Sequence, residues 1–157
     1  MSRSPAESST EIVQVVLPND ANPMGFALGG YVMHQIDIAG AIAALRHTRS
    51  PVVTAAVDGL QFLHPIAVGD LIIVNARVTG TFTTSLEVEV EVFSEGSLTG
   101  ERRRTSRAYV TFVTLELDGH RPHVPPLRLE TDDDRRRAAD ADHRRAARLR
   151  DRHDQPR

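Results

Sequence analysis

A single carboxylate interrupts the most apolar stretch of the chain. Asp37 stands between Ile36 and Ile38, with Met33 and Ala41 one helical turn to either side. Burying a carboxylate without partners is costly, so its presence there needs a reason. Either it faces a water-filled gap or accepts hydrogen bonds from a neighbouring strand, or it is a general base or nucleophile beside an apolar acyl pocket.

Glycines precede the same stretch. Gly25, Gly29 and Gly30 allow backbone to approach a ligand closely, and the last two stand where a helix is predicted to begin. The N–H groups of a first helical turn lack partners within the helix and point toward negative charge. They could polarise a thioester carbonyl and stabilise its tetrahedral oxyanion.

Composition excludes several other chemistries. There is no cysteine, which excludes disulfides, thiolate zinc sites and cysteine nucleophiles and favours an intracellular protein. There is no lysine, so Schiff-base chemistry lacks its amine. His120 and His123 are poorly spaced for a metal site, and no metal is predicted. Ser85 and His64 lack the Gly-x-Ser-x-Gly turn of serine hydrolases.

Charge and hydropathy predict a soluble protein, and the absence of cysteine leads us to expect it in the cytoplasm. The formal net charge is -2, which gives no general attraction to nucleic acid. No run approaches the roughly 20 apolar residues that span a bilayer, and the polar N-terminus does not resemble a signal peptide. We therefore expect neither a nucleic-acid partner nor a membrane partner.

Hydrophobic periodicity predicts one long helix and five strands, an α+β fold. The helix, residues 29–47, is apolar on nearly every side and must be buried on nearly every side. Alternating segments with short turn-rich connectors predict a meander of antiparallel strands that wraps around it. One sheet cannot enclose the helix fully, so a second subunit is expected to cover the rest. The predicted strands are residues 11–17, 52–63, 71–79, 85–93 and 108–117.

Three segments differ in composition. Residues 1–10 read as a flexible lead-in, and residues 11–130 read as one domain. Residues 131–157 form a charged tail with acid-before-base pairs four residues apart, which predicts a loosely held surface helix or disorder. The arginines of this tail could instead bind phosphates, although the interleaved acids weaken that reading.

Motifs between residues 22 and 126 resemble those of the hotdog-fold acyl-CoA thioesterases, in the branch of the YciA-type enzymes and brain acyl-CoA hydrolase. In that family an antiparallel sheet wraps one central helix, and the active site lies between two subunits. The motifs that carry the resemblance are Asn22 to Gly30, Gln35-Ile36-Asp37, Arg46-His47, Val52 to Ala55, Phe62, Pro65, Gly69-Asp70, Thr111-Phe112-Val113 and Val124-Pro125-Pro126.

The resemblance implies roles for particular residues. Asp37 matches the catalytic aspartate, which activates water or attacks the thioester carbon. Asn22 matches the catalytic asparagine, which is contributed across the dimer interface and orients the water or the carbonyl. Gly29 and Gly30 match the oxyanion donors, and Thr54 a threonine close to the reacting centre.

The resemblance also implies how coenzyme A is held. Ser85 matches the serine after a loop that holds coenzyme A, although Phe82 stands where that loop usually has glycine. The implied activity is hydrolysis of acyl-CoA to coenzyme A and a carboxylic acid, without a cofactor. The implied assembly is a dimer or a trimer of dimers.

Two other functions are known for proteins of this fold. Hydration of enoyl thioesters on this fold pairs an aspartate with a histidine five residues later, where this chain has Ile42. A non-catalytic acyl-CoA-binding or sensing module would not need Asp37 and Asn22 together. His34, one turn before Asp37, is interpreted as a neighbour that could hydrogen-bond to it.

Overall fold

The computed structural model describes residues 1–155 of the 157. Three helices and five strands follow one another, with a single 3-10 turn at Pro18–Asp20 between the first strand and the central helix. The elements, in chain order, are α1 Pro5–Ser8, β1 Thr10–Val15, α2 Gly29–Thr48, β2 Val52–Phe62, β3 Leu71–Thr81, β4 Ser85–Glu95, β5 Arg102–Thr114 and α3 Asp132–Asp154.

The five strands form one antiparallel sheet in the order β1-β3-β4-β5-β2. Strands β3, β4 and β5 form the predicted meander, but β2 pairs with β5 at the far edge rather than with β3. The prediction that all four strands follow one another as neighbours was therefore wrong. Residues 63–70 can extend about 26 Å, more than the three strand spacings of about 4.8 Å that separate β2 from β3. Sequence patterning does not distinguish such a crossing from a hairpin loop.

Helix α2 lies across the concave face of the sheet, which confirms the predicted α+β architecture. Its buried residues include Val32, Ile36, Ala39 and Ala43, which pack against the inward side chains of the strands. At Gly40 an added Cβ would lie 3.1 Å from the Phe112 ring, so the missing side chain allows the helix to approach β5 closely.

One side of α2 and the neighbouring strand β2 are not covered by the protomer's own sheet. Among residues 1–155, strand β2 is paired only with β5, so its other backbone edge is open. Within one protomer the helix is therefore buried on only part of its surface, in agreement with the expectation that one sheet cannot enclose it fully. Apolar residues with more than a third of their surface exposed cluster on these two elements and the segment after β2: Met33, Ile38, Leu45, Val53, Val57, Phe62 and Leu63.

The N-terminal segment is structured, in contrast to the flexible lead-in that the sequence predicted. Residues Pro5–Ser8 form α1, whose capping box joins the Glu7 carboxylate to the Ser4 backbone amide at 2.6 Å. Ser4, Pro5 and Ser8 are buried. Small and hydroxyl-bearing residues carry little hydrophobic signal, so their burial could not be predicted from periodicity.

Helix α3 docks against the convex face of the sheet, opposite α2. The Arg144 guanidinium contacts the fully buried Glu87 carboxylate at 2.9 and 2.7 Å and stacks 3.6 Å from the centre of the Tyr109 ring. Arg148 contacts Asp58 at 2.8 Å. Of the two predicted states of the tail, the structure therefore has the helix. Ion pairs, rather than an apolar stripe, hold this helix against the sheet. Residues 156 and 157 of the predicted tail lie outside the described residues.

His47 joins the end of α2 to the segment that follows β5. Its ring is fully buried, and Nε2–H donates a hydrogen bond to the Pro125 carbonyl at 2.7 Å. Burial lowers the pKa of His47, and the hydrogen bond to Pro125 only partly opposes that shift. The neutral ring is therefore the form that the folded state holds.

Acidification should destabilise the protein through His47. Because the pKa is lower in the folded state, the unfolded state takes up the proton first as the pH falls below about 6.5. The free energy of unfolding should then fall by at most about 1.4 kcal/mol per pH unit from this group. Denaturant melts of the protein and of His47→Gln, which retains an N–H donor, between pH 7.5 and 5 would measure this. Equal pH slopes for the two proteins would contradict the assignment.

Candidate active site

The start of α2 presents unpaired backbone donors. The helix has no side-chain cap, and its first bond within the helix runs from the Val32 N–H to the Leu28 carbonyl at 3.1 Å. The N–H groups of Gly29, Gly30 and Tyr31 therefore have no acceptor in the helix. At Gly29 an added Cβ would lie 3.5 Å from the Phe62 ring, in ordinary contact, so the end of β2 lies beside this turn.

Asp37 lies in a cavity between α2 and β2. Thr54 Oγ1 donates a hydrogen bond to Asp37 Oδ1 at 2.6 Å, so the threonine fixes the carboxylate and leaves the second oxygen available. The cavity has a volume of about 300 Å³ and the mostly apolar lining that the sequence analysis expected beside Asp37, although Val57, Leu60 and Val110 were not identified there. The carboxylate is exposed in the protomer rather than buried. The lining residues are Gly30, Met33, His34, Ile36, Asp37, Thr54, Val57, Leu60 and Val110.

Asn22 lies in a tight loop before α2. Its Oδ1 accepts hydrogen bonds from the backbone N–H groups of Met24 at 3.0 Å and Phe26 at 3.1 Å. The carbonyl oxygen is thus engaged by the loop itself, and the Nδ2 amide is the part of the side chain left to act on a ligand. Asn22 and Gly29 line the same cavity, which has a volume of about 450 Å³.

The predicted site residues thus fall into three groups within one protomer. Asp37 and Thr54 are in direct contact, Asn22 and Gly29 line one cavity, and Gly30 lines the Asp37 cavity. The cavities of Asn22 and Asp37 share no lining residue. Ser85 lies apart from both, in a groove on the convex face of the sheet.

His34 lines the Asp37 cavity, but no hydrogen bond joins the two side chains within residues 1–155. No group of three or more histidines and carboxylates among these residues is arranged to hold a metal ion. None of the helices described is long and apolar enough to cross a membrane.

Comparisons with known proteins place this fold and these residues in one family. Residues 24–101 match the family described as the Thioesterase superfamily. The uncharacterized acyl-CoA thioester hydrolase YkhA of Bacillus subtilis is 37% identical over 128 residues, 82% of this chain and 74% of that protein. The acyl-CoA thioester hydrolase YciA of Escherichia coli is 34% identical over 116 residues, 72% of this chain and 87% of that protein.

Solved structures agree over almost the whole chain. A hexameric acyl-CoA thioesterase superposes with a TM-score of 0.89 at 36% identity, covering 95% of this chain and 96% of its own. An acyl-CoA hydrolase from Staphylococcus aureus, solved with butyryl coenzyme A and coenzyme A, superposes with a TM-score of 0.85 at 31% identity, covering 98% and 96%.

Structures of alanine variants of the S. aureus hydrolase show a matching spacing. One variant replaces an asparagine, one an aspartate 15 residues later and one a threonine 17 residues after that. Asn22, Asp37 and Thr54 have the same separations here. Together with the matched fold and the relatives of the YciA type, this confirms the resemblance found in the sequence: the chain belongs to the thioesterase superfamily, in its hotdog-fold group of acyl-CoA thioester hydrolases.

Proposed function

We propose that this protein hydrolyses acyl-CoA to coenzyme A and a carboxylic acid at a site built around Asp37. The observation that carries the proposal is the Asp37 carboxylate held by Thr54 at 2.6 Å in a mostly apolar cavity. Apolar side chains suit the acyl chain, while a fixed carboxylate suits attack on the thioester carbon. A module that only binds acyl-CoA would not need that carboxylate.

The free Oδ2 of Asp37 can act in two ways. As a general base it takes a proton from water, whose oxygen attacks the thioester carbon; the tetrahedral intermediate then expels the coenzyme A thiolate, which is protonated. As a nucleophile it attacks the carbon itself and expels the coenzyme A thiolate, which is protonated, and water then hydrolyses the resulting mixed anhydride and frees the Asp37 carboxylate. Both routes consume one water and release one carboxylic acid and one thiol.

Asn22 would act as a hydrogen-bond donor in either route. Because its Oδ1 is engaged by Met24 and Phe26, its Nδ2 is suited to the thioester oxygen as negative charge develops on it. The first-turn N–H groups of Gly29 and Gly30 lie at the same end of α2 and carry the same kind of partial charge. These three residues would form the oxyanion site.

Asp37 and the proposed glycine oxyanion donors lie far apart along one helix within a single protomer. Gly29 and Gly30 precede Asp37 by seven or eight residues on one helix, a separation of about 10–12 Å along its axis. Nucleophile and oxyanion donors must both lie about 3 Å from the same carbonyl group. We therefore propose that Asp37 of one subunit works with Asn22, Gly29 and Gly30 of the partner subunit.

The surface around β2 suits such a partner. The open backbone edge of β2 and the exposed apolar side chains beside it are features that a second copy would cover by continuing the sheet. We propose a dimer as the smallest complete unit. The hexameric thioesterase to which this chain is similar makes a hexamer the expected larger assembly.

We propose no metal and no cofactor, since coenzyme A enters as part of the substrate and leaves as a product. A cytoplasmic location stays a prediction that rests on the absence of cysteine.

A thiol-release assay tests the proposed activity. The purified protein would be given acyl-CoAs of graded chain length, and free coenzyme A would be trapped with a chromogenic disulfide. Turnover that depends on chain length is the expected result. Saturable acyl-CoA binding without thiol release would identify a binding module and contradict the proposal.

Replacing Asn22 with aspartate separates the two roles of its side chain. The carboxylate of the Asn22→Asp variant can still accept the hydrogen bonds from the Met24 and Phe26 amides, so the loop and the melting temperature should be preserved. It has no N–H to donate, and kcat should fall by about 10²–10³-fold. Steady-state kinetics and thermal melts measure both effects. Unchanged kcat in a folded Asn22→Asp protein would exclude the donor role.

A further inference from the structure

Strand β2 forms one wall of the Asp37 cavity. Thr54, Val57 and Leu60 of this strand line the cavity, and Thr54 donates the hydrogen bond to Asp37 Oδ1 at 2.6 Å. The position of β2 therefore decides where the threonine hydroxyl meets the carboxylate. In the part of the chain that the structure describes, β2 pairs with β5 alone, so its position depends on that ladder and on its own side chains.

Two bulges interrupt the ladder in this part of β2. The pairing with β5 shifts by one residue between Thr54 and Ala56, and again between Asp58 and Gln61. Gly59, in the second bulge, has a positive φ of 67°, which glycine adopts without strain. Each bulge leaves a residue of β2 without a partner on β5 and bends the strand. Backbone hydrogen bonds therefore hold this segment less firmly than they hold the regular strands.

An arginine of α3 holds the bulged segment from the other face of the sheet. Asp58 lies between the two bulges and faces α3, where its Oδ2 accepts a hydrogen bond from Arg148 Nη1 at 2.8 Å. The Arg148 side chain is only 18% exposed, and its Nη1 lies 3.6 Å from the fully buried Glu87 carboxylate of β4. Charge-assisted hydrogen bonds are about twice as strong as neutral ones. Arg148 thus joins the irregular edge strand to the regular centre of the sheet.

Strand β2 is held by one side-chain hydrogen bond on each face. Thr54 joins it to α2 on the concave face, and Asp58 joins it to α3 on the convex face. No other side chain of β2 forms a hydrogen bond within residues 1–155. Only four residues separate the two contacts, and the first bulge lies between them. A change at Asp58 is therefore expected to move Thr54.

We propose that Arg148 is a positioning residue for the reaction at Asp37. By holding Asp58, it fixes the bulged segment of β2, and that segment places the Thr54 hydroxyl against the carboxylate. The proposal rests on the proposed function, because it concerns the same carboxylate. It gives α3 a role in the activity although this helix lies on the opposite face of the sheet from the cavity.

Asp58→Ala isolates the contact between α3 and β2. Arg144 and Arg148 keep their contacts with Glu87 in this variant, so α3 should stay docked. We expect kcat for acyl-CoA hydrolysis to fall about 5- to 10-fold, the loss that follows when one positioning hydrogen bond is weakened. KM should change by less than about twofold, because Asp58 lies outside the cavity. Arg148→Ala should lower kcat by a similar factor, and thiol-release kinetics measure both variants.

Arg137→Ala is the matched control. Arg137 also joins α3 to the sheet, through Glu89 of β4, but it forms no hydrogen bond with β2 among the described residues. Removing the partner of the nearly buried Glu89 carboxylate should lower the melting temperature, while kcat should stay unchanged. A loss of kcat as large as that of Asp58→Ala would mean that docking of α3 as a whole is what matters, and it would overturn the role assigned to Arg148.

A double-mutant cycle tests whether the effect passes through Thr54. In Thr54→Val the strand no longer positions the carboxylate, so adding Asp58→Ala should lower kcat by less than about twofold more. Full multiplication of the two losses would overturn the positioning role. Unchanged kcat in Asp58→Ala, in a protein that otherwise hydrolyses acyl-CoA, would overturn this proposal alone. No hydrolysis by the unmodified protein would instead refute the proposed function.

Discussion

Asp37→Asn is expected to lower kcat for acyl-CoA hydrolysis by at least about 10³-fold, because an amide neither takes the proton from water nor attacks the thioester carbon. The substitution is nearly isosteric, and the asparagine oxygen can still accept the hydrogen bond that Thr54 donates at 2.6 Å. The side chain is exposed in the protomer, so folding should be unaffected. Thiol-release kinetics and circular-dichroism melts would measure activity and fold on the same samples.

The control for Asp37→Asn is the same change at an exposed carboxylate of α3, Asp142→Asn, which should leave kcat unchanged. The kcat of Thr54→Val should lie between those of Asp37→Asn and Asp142→Asn. This substitution leaves the Asp37 carboxylate in place but removes the hydroxyl that positions it. A folded Asp37→Asn protein with kcat within about twofold of the unmodified enzyme would refute the assignment of Asp37.

The central helix and most strands could be predicted because their hydrophobic periods are strong. Residues 85–93 alternate valine or leucine with glutamate over most of their length, and the structure has β4 over Ser85–Glu95. The start of β5 was missed because Arg102, Arg103 and Arg104 carry no apolar signal, although they lie in the strand. Strand order was not predictable either, since pairing of β2 with β5 depends on contacts far apart in sequence.

The docking of α3 could not be predicted from composition. Its partners on the sheet include Glu87, Glu89 and Asp58, and their alternation with apolar residues indicated a face open to solvent. The arginines of α3 neutralise and cover this face, so Glu87 is completely buried. A sheet face that carries charges has the same sequence pattern whether it is exposed to solvent or covered by an oppositely charged helix. The sequence of the helix does not distinguish the two cases either.

Asp37 itself could be identified in sequence because a lone charge contradicts the pattern around it. Asn22 could not, since an asparagine before a proline in a turn is unremarkable without the family resemblance. The structure adds that Asn22 presents its amide nitrogen, and that Asn22 and Asp37 line separate cavities. In the proposed arrangement the complete site depends on how two subunits meet, and no local pattern in one chain's sequence encodes that.

Complementation between inactive subunits is expected to restore activity. If Asp37 acts with Asn22 of the partner subunit, a dimer of one Asp37→Asn chain and one Asn22→Asp chain has one site with both residues intact. Random association of equal amounts should restore about a quarter of the unmodified activity per site, since half of the dimers are mixed and each has one working site. The gain would then be about 25- to 250-fold over the Asn22→Asp parent and about 250-fold or more over the Asp37→Asn parent. Co-expression of equal amounts of the two chains, purification through a shared tag and thiol-release kinetics would measure it.

The converse mixture is a control for activity that returns because one chain helps the other to fold or stabilises it. A chain carrying both Asp37→Asn and Asn22→Asp, mixed randomly with unmodified chain in equal amounts, leaves both sites of every mixed dimer incomplete. About a quarter of the activity per site should then remain if the site spans two subunits, and about half if each subunit is complete in itself. A value near one half, together with no recovery in the first mixture, would place Asn22 and Asp37 in the same subunit's site and refute the shared arrangement. If the site is shared between subunits, activity is restored in the first mixture and lost from every mixed dimer in the second. Both results are expected only of a shared site, because each subunit then depends on a side chain of its partner.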